Sequence, residues 1–201
     1  MTPPRQRPTP PARAARRADA ERNIAAIVAA GLDLLTKDPD ASTADIAKAA
    51  GVGRVTLYGH FPTREALLEA VLDRAVAVAN TALDDPAYDE LPAQEAISRL
   101  IVSSWELLDG NRRLLAAADR VLPTERIRHY HDEALARVER LILRGQDEGV
   151  FRTDLPLTWL VAHFYATLHS AAQEVDAGRL DLADAAQVLN ATLRSVLMAD
   201  R

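Results

Sequence analysis

Residues 53–64, GRVTLYGHFPTR, bring together an arginine, a valine, hydroxyls, a histidine and a second arginine just after the glycine of AAGVG. Two chemistries use such groups beside closely spaced glycines: a loop that cradles phosphates, and a short helix that lies in the major groove of DNA. A dinucleotide fingerprint needs a third glycine three residues after Gly53, on a turn between a strand and a long helix. Thr56 stands there instead, the preceding run is helix-like, and no Lys-Ser or Lys-Thr pair follows the glycines. The phosphate-loop reading therefore fails. For the groove, Arg54 suits a guanine edge or a phosphate, Val55 a thymine methyl, and the hydroxyls of Thr56 and Tyr58 suit phosphate oxygens.

Other chemistries find little support. The sequence has no cysteine, so it holds neither a nucleophilic thiol nor a thiolate metal site, and it lacks both a Gly-x-Ser-x-Gly elbow and an HExxH pair. His129 and His131, two apart, diverge on a helix, and His163 and His169, six apart, fit a metal no better. The reading is of a non-enzyme with no metal and no cofactor. No apolar run reaches the length of a membrane span, and the Arg/Pro-rich start has no apolar segment behind it to make a secretory signal, so a cytoplasmic protein is expected.

Of 201 residues, 48% are hydrophobic, which is enough to build a core. The net charge of −5 opposes nucleic-acid binding taken alone, yet it is unevenly spread. Residues 1–80 hold eleven basic against nine acidic side chains, a net of +2, so the remainder carries −7. That asymmetry fits a head that meets phosphate on a body that does not.

The elements that must position these groups are helices throughout. Residues 1–18, rich in Pro, Arg and Ala, read as a disordered basic arm. From about Asp19, Ile24, Ile27, Val28, Leu32 and Leu35 recur at helical steps up to the breaker KDPD. Ser42 and Asp45 form a capping box for a second helix, GVG makes a turn, RVTLYGH a third helix, and Thr63 caps a long fourth with Leu67, Leu68, Val71 and Leu72 on one face. Beyond DDPAYDELP, helices are expected over about 92–109, briefly after Asn111, and over 124–145, 156–177 and 182–199. No alternating strand is present, so the fold is all-α: an N-terminal three-helix helix-turn-helix domain over 19–65 and a helical ligand-binding and dimerisation bundle over 66–201.

The stretch from Asn23 to Leu72 resembles the N-terminal domain of the TetR family of one-component transcriptional regulators. The match rests on Thr43, Asp45-Ile46-Ala47, Ala50-Gly51-Val52, Thr56-Leu57-Tyr58, His60-Phe61 and Thr63-Arg64-Glu65 with Leu67. It covers about a quarter of the chain. Two positions depart from the family's pattern: Gly53, where a hydroxyl residue is usual, and Val55, where a smaller one is common. The resemblance implies Thr43 and Tyr58 on phosphates, Arg54, Val55 and Thr56 at base edges or adjacent phosphates, and His60 and Arg64 clamping the backbone. It implies a repressor released from a palindromic operator on double-stranded DNA by a small ligand. The alternative is a helical small-molecule-binding protein or enzyme that does not bind DNA.

For the body the resemblance implies architecture alone. Its last two helices are expected to pair with their copies in a homodimer, with Ala162, Ala166 and Ser170 as a ridge of close approach. Pocket candidates are the aromatic residues and histidines of the bundle: Trp105, Trp159, His163, Phe164, Tyr165 and His169. Each of them is also explained by ordinary core or interface packing.

Overall fold

The computed structural model describes residues 10–199. The helices run α1 Pro10–Leu35, α2 Thr43–Ala49, α3 Arg54–His60, α4 Arg64–Leu83, α5 Ala87–Glu90, α6 Ala93–Asp119, α7 Thr124–His129, α8 Asp132–Asp147, α9 Leu157–Asp176 and α10 Leu182–Leu197. Among the described residues the sole β pairing is an isolated bridge from Phe151 to Met198, which ties the end of α10 to the loop after α8. The expected all-α fold is present.

Helix α1 begins at Pro10, well before the expected start at Asp19, so residues 10–18 are helical rather than disordered. Proline is at home in a first helical turn, and the Ala/Arg-rich run that follows has high helix propensity. Ion pairs one turn apart support it, Arg17 with Glu21 at 3.0 Å and Asp19 with Arg22. The first nine residues of the expected arm lie outside the described residues.

Helices α1 to α4 close around one core. Ile27, Leu35, Ile46, Leu57, Leu68 and Val71 are fully buried there. At Gly31 a Cβ would stand 2.7 Å from Val71 Cγ2, so the absence of a side chain sets how closely α1 and α4 cross. The Ser42–Asp45 capping box is present in both directions, at 3.2 and 3.1 Å. Helix α2 ends at Gly51, whose φ of 68° is left-handed, with Gly51 N–H donating to Lys48 O and Val52 N–H to Ala47 O.

The second core lies among α6, α8, α9 and α10, around Ile97, Ile101, Trp105, Ile142, Phe164 and Leu193. Two expectations fail here. The break foreseen after residue 109 does not occur: α6 runs unbroken through Gly110, an exposed position that costs about 1 kcal/mol relative to alanine. The two halves of α6 are anchored in different cores, with Ile97 to Trp105 in the second and Leu114, Ala117 and Ala118 in the first. That double anchorage outweighs the local cost. Conversely, the single helix expected over 124–145 divides at Tyr130 into α7 and α8, and the His131 ring Nδ1 bonds Ile127 O across the break at 2.9 Å. Asp132 and Glu133 then occupy the first turn of α8, where the helix dipole favours them.

Candidate DNA-reading helix and the cavity behind it

Helix α3 carries a single fully buried side chain, Leu57, and turns Arg54, Val55 and Tyr58 outward. Val55 is 88% exposed and Tyr58 50% exposed, and Arg54 stands free on the surface beside them. A valine so fully exposed contributes little to the packing of the fold. Thr43, Thr56 and His60 are half-buried around this face. Gly53 is the N-cap of α3 and provides no side-chain hydrogen bond, so the amides of the first turn remain open to an anion. Arg64, the expected phosphate clamp, also has a partner within the fold. Its side chain is half-buried, and Nη1 donates to Ala41 O at 2.9 Å, tying the start of α4 to the loop between α1 and α2.

Residues 27–71 match the family model described as bacterial regulatory proteins, tetR family. Residues 27–71 therefore form a tetR-type N-terminal domain. Among curated relatives, it is similar to the HTH-type transcriptional repressor LfrR of Mycolicibacterium smegmatis, 34% identical over 87 residues. That match takes in 43% of this chain and 46% of LfrR, about half of each. A fainter likeness reaches further: the HTH-type transcriptional regulator NfxB of Pseudomonas aeruginosa is 27% identical over 84% of this chain and 89% of its own length. The crystal structure of LfrR in complex with proflavine shares the fold, with a TM-score of 0.65 at 23% identity over 90% of this chain and 98% of that one.

Behind this tetR-type domain a cavity of about 120 Å³ lies between the two cores, bounded by α4, α6, α8 and α9. Of the six residues expected at a pocket, Phe164, Tyr165 and His169 line it. The other three do not. Trp105 is buried in the second core, His163 is half-buried elsewhere on α9, and Trp159 is 59% exposed on the outer face of that helix. The reason is helical phase: 159 and 163 face away from 164, 165 and 168. Sequence reasoning missed His131 and Tyr130, which enter the cavity wall because the chain breaks between α7 and α8.

At one corner of the cavity three rings meet. His131 makes edge contacts with Tyr165 and His169, at centroid distances of 5.1 and 5.0 Å, and Tyr165 and His169 are 4.2 Å apart. Burial, with the adjacent His131 adding, pushes the His169 imidazole down to about 4. Burial likewise lowers His131 below its ordinary value. Both rings are therefore neutral at pH 7.

The cavity is joined to the reading head by two helices, α4 and α6. Helix α4 lines it with Leu72, Val76 and Ala79 and starts beside α3. Helix α6 lines it with Leu107 and Asn111, then buries Leu114, Ala117 and Ala118 in the head core. Its end is pinned to the α1–α2 loop, where Arg113 donates to Lys37 O at 2.8 Å and Arg120 pairs with Asp40 at 2.5 Å.

Proposed function

We propose that this chain is a sequence-specific DNA-binding transcriptional regulator, a repressor released from a palindromic operator by a small ligand, and that it acts by binding rather than by catalysis. The observation that carries the reading is the outward face of α3, with Arg54, Val55 and Tyr58 free on a helix whose one inward residue is locked in the core. Residues 19–65 read the DNA, and residues 66–201 bind the ligand and a second subunit. The names of the relatives support regulation, and the proflavine complex of LfrR supports a ligand site in the same fold.

Replacing Arg54 with alanine is expected to cost about 1–3 kcal/mol of operator affinity and to relax preference at one base pair. Tyr58→Phe should weaken all sequences by similar factors, since a phosphate contact carries no sequence information. Gel-shift titrations on a set of single-base operator variants separate the two patterns. Unchanged affinity in both variants would rule out α3 as the reading helix.

The two-fold symmetry of the operator needs a dimer. The outer face of α9 presents Trp159, Ala162, Ala166 and Ser170 at helical spacing, and α10 beside it exposes Val188. An exposed tryptophan beside a row of small side chains suits close packing of helices against their copies. Such a pairing sets the two copies of α3 about 34–36 Å apart, one turn of DNA. The double substitution Ala162→Glu and Ala166→Glu should convert the dimer to monomer, because unpaired charge in such a contact is costly. Sedimentation equilibrium checks this, and a monomer for the parent chain would contradict it.

Ligand entry alters DNA affinity only through a difference in affinity between the fitting and non-fitting states. We infer that α4 and α6 together carry that difference to the head. Ala77 sits in mid-α4, exposed and away from the cavity, unlike Ala75, which lines it. Ala77→Gly costs only about 1 kcal/mol of helix stability. It should shrink the ligand-induced change in operator affinity while leaving ligand binding by the free protein intact. An equal change in parent and variant would show that the signal bypasses this part of α4.

A further inference from the structure

The cavity between the two cores has apolar walls on every helix that bounds it, including Leu72 and Val76 of α4, Leu108 and Leu115 of α6, Leu135 of α8 and Phe164 of α9. No Asp, Glu, Lys or Arg among the described residues lines it. The charged groups nearest its polar corner stay outside: Arg128 lies over the Tyr165 ring at 5.0 Å, Asp132 follows His131, and Asp119 acts on Tyr165 from the end of α6. A charged ligand would meet no counter-charge there, and an unpaired buried charge is strongly disfavoured. With about 120 Å³ available, the space is close to that of an apolar cavity of about 150 Å³ that accepts one benzene ring.

The polar corner has a defined handedness of hydrogen bonding. A backbone carbonyl only accepts, so the 2.9 Å contact between His131 Nδ1 and Ile127 O places the ring proton on Nδ1. In the neutral ring Nε2 is then a bare acceptor. Burial of His131 keeps it in that form at neutral pH. An apolar molecule filling the cavity would strip Nε2 of water and leave it unpaired, which carries the desolvation penalty of a lost hydrogen bond. A ligand that ends in a donor removes that penalty.

Resting on the reading of this cavity as the regulatory site, we propose that it takes a neutral single-ring aromatic alcohol whose hydroxyl donates a hydrogen bond to His131 Nε2. The ring lies among the apolar walls with Phe164 and Tyr165, and the hydroxyl is directed to the α7–α8 break.

The test is titration calorimetry of the full chain, without DNA, against probes of similar size: 4-methylphenol, 4-fluorotoluene, benzoate and benzylammonium. 4-Methylphenol is expected to bind, 4-fluorotoluene about tenfold more weakly or worse for want of a donor, and neither ion detectably. In His131→Phe, which keeps a ring but removes the acceptor, the phenol should lose its advantage over 4-fluorotoluene. Should that variant fail to fold by circular dichroism, the four probes on the parent chain decide alone. The ligand class is overturned if 4-fluorotoluene matches 4-methylphenol, if either ion binds as well, or if 4-methylphenol does not bind. Binding of the phenol with no effect on operator affinity upholds the ligand class and removes the regulatory reading instead.

Discussion

Leu57→Ala destabilises the chain by about 2–5 kcal/mol, the range for deleting a fully buried leucine side chain, and abolishes DNA binding where the head has melted. Leu57 has no exposed surface and is the single buried residue of the seven in α3. So short a helix has no independent stability in water. Its N-cap is Gly53, without a side-chain bond, so packing rather than capping holds it in place. The loss therefore concentrates on the one element that carries Arg54, Val55 and Tyr58. Val55→Ala is the control. At 88% exposure it should leave stability within about 0.5 kcal/mol of the parent. Thermal denaturation followed by circular dichroism, beside gel-shift assays of each variant, measures both effects. A Leu57→Ala chain with parental stability and parental DNA affinity would contradict this account of α3.

The second large effect is a loss of stability in acid that is traceable to the histidine corner. The folded chain holds His169 at about 4 because burial and the neighbouring His131 oppose its charge, whereas an unfolded histidine titrates near 6.5. Between those values the unfolded state binds a proton that the folded state refuses. Stability is thus complete above about pH 6.5 and falls as pH drops toward 4, by about 1.4 kcal/mol per unit and about 3 kcal/mol in all. His131, lowered for the same reason, adds in the same direction. His169→Gln cannot titrate, so between pH 6.5 and 5 it should lose about 2 kcal/mol less than the parent. Urea denaturation at both pH values gives the difference directly and cancels the carboxylates common to both chains. Identical pH dependence in parent and variant would show that the ring is not buried neutral.

What was legible in the sequence, and what was not, follows the range of the forces involved. The head was readable because its signals are local: Ser42 and Asp45 cap α2, Gly51 takes the left-handed turn, Leu57 is the lone inward residue of α3, and Thr63 caps α4. The continuity of α6 through Gly110 was not readable, since it depends on two cores separated along one helix. On one continuous helix His131 would diverge from His129, but the break at Tyr130 changes that phase and places the ring at the cavity. The acidic pair Asp132-Glu133 directly after it was the available sign of a new helix start. The bond from Arg64 to Ala41 O is not legible for a related reason, because its acceptor lies on another element. Residue type suggests a pocket for Trp159, whereas its spacing with Ala162 and Ala166 puts it on the outer face of α9.

The central claim, that α3 reads DNA in a symmetric pair, is tested most directly by selecting bound sequences from random double-stranded DNA with the purified full chain. The expected result is a two-fold symmetric consensus with half-sites one helical turn apart, whose affinity falls steeply with salt and whose sequence preference weakens in Arg54→Ala. Recovery of no enriched sequence, or of one unaffected by substitutions at Arg54 and Tyr58, would contradict it.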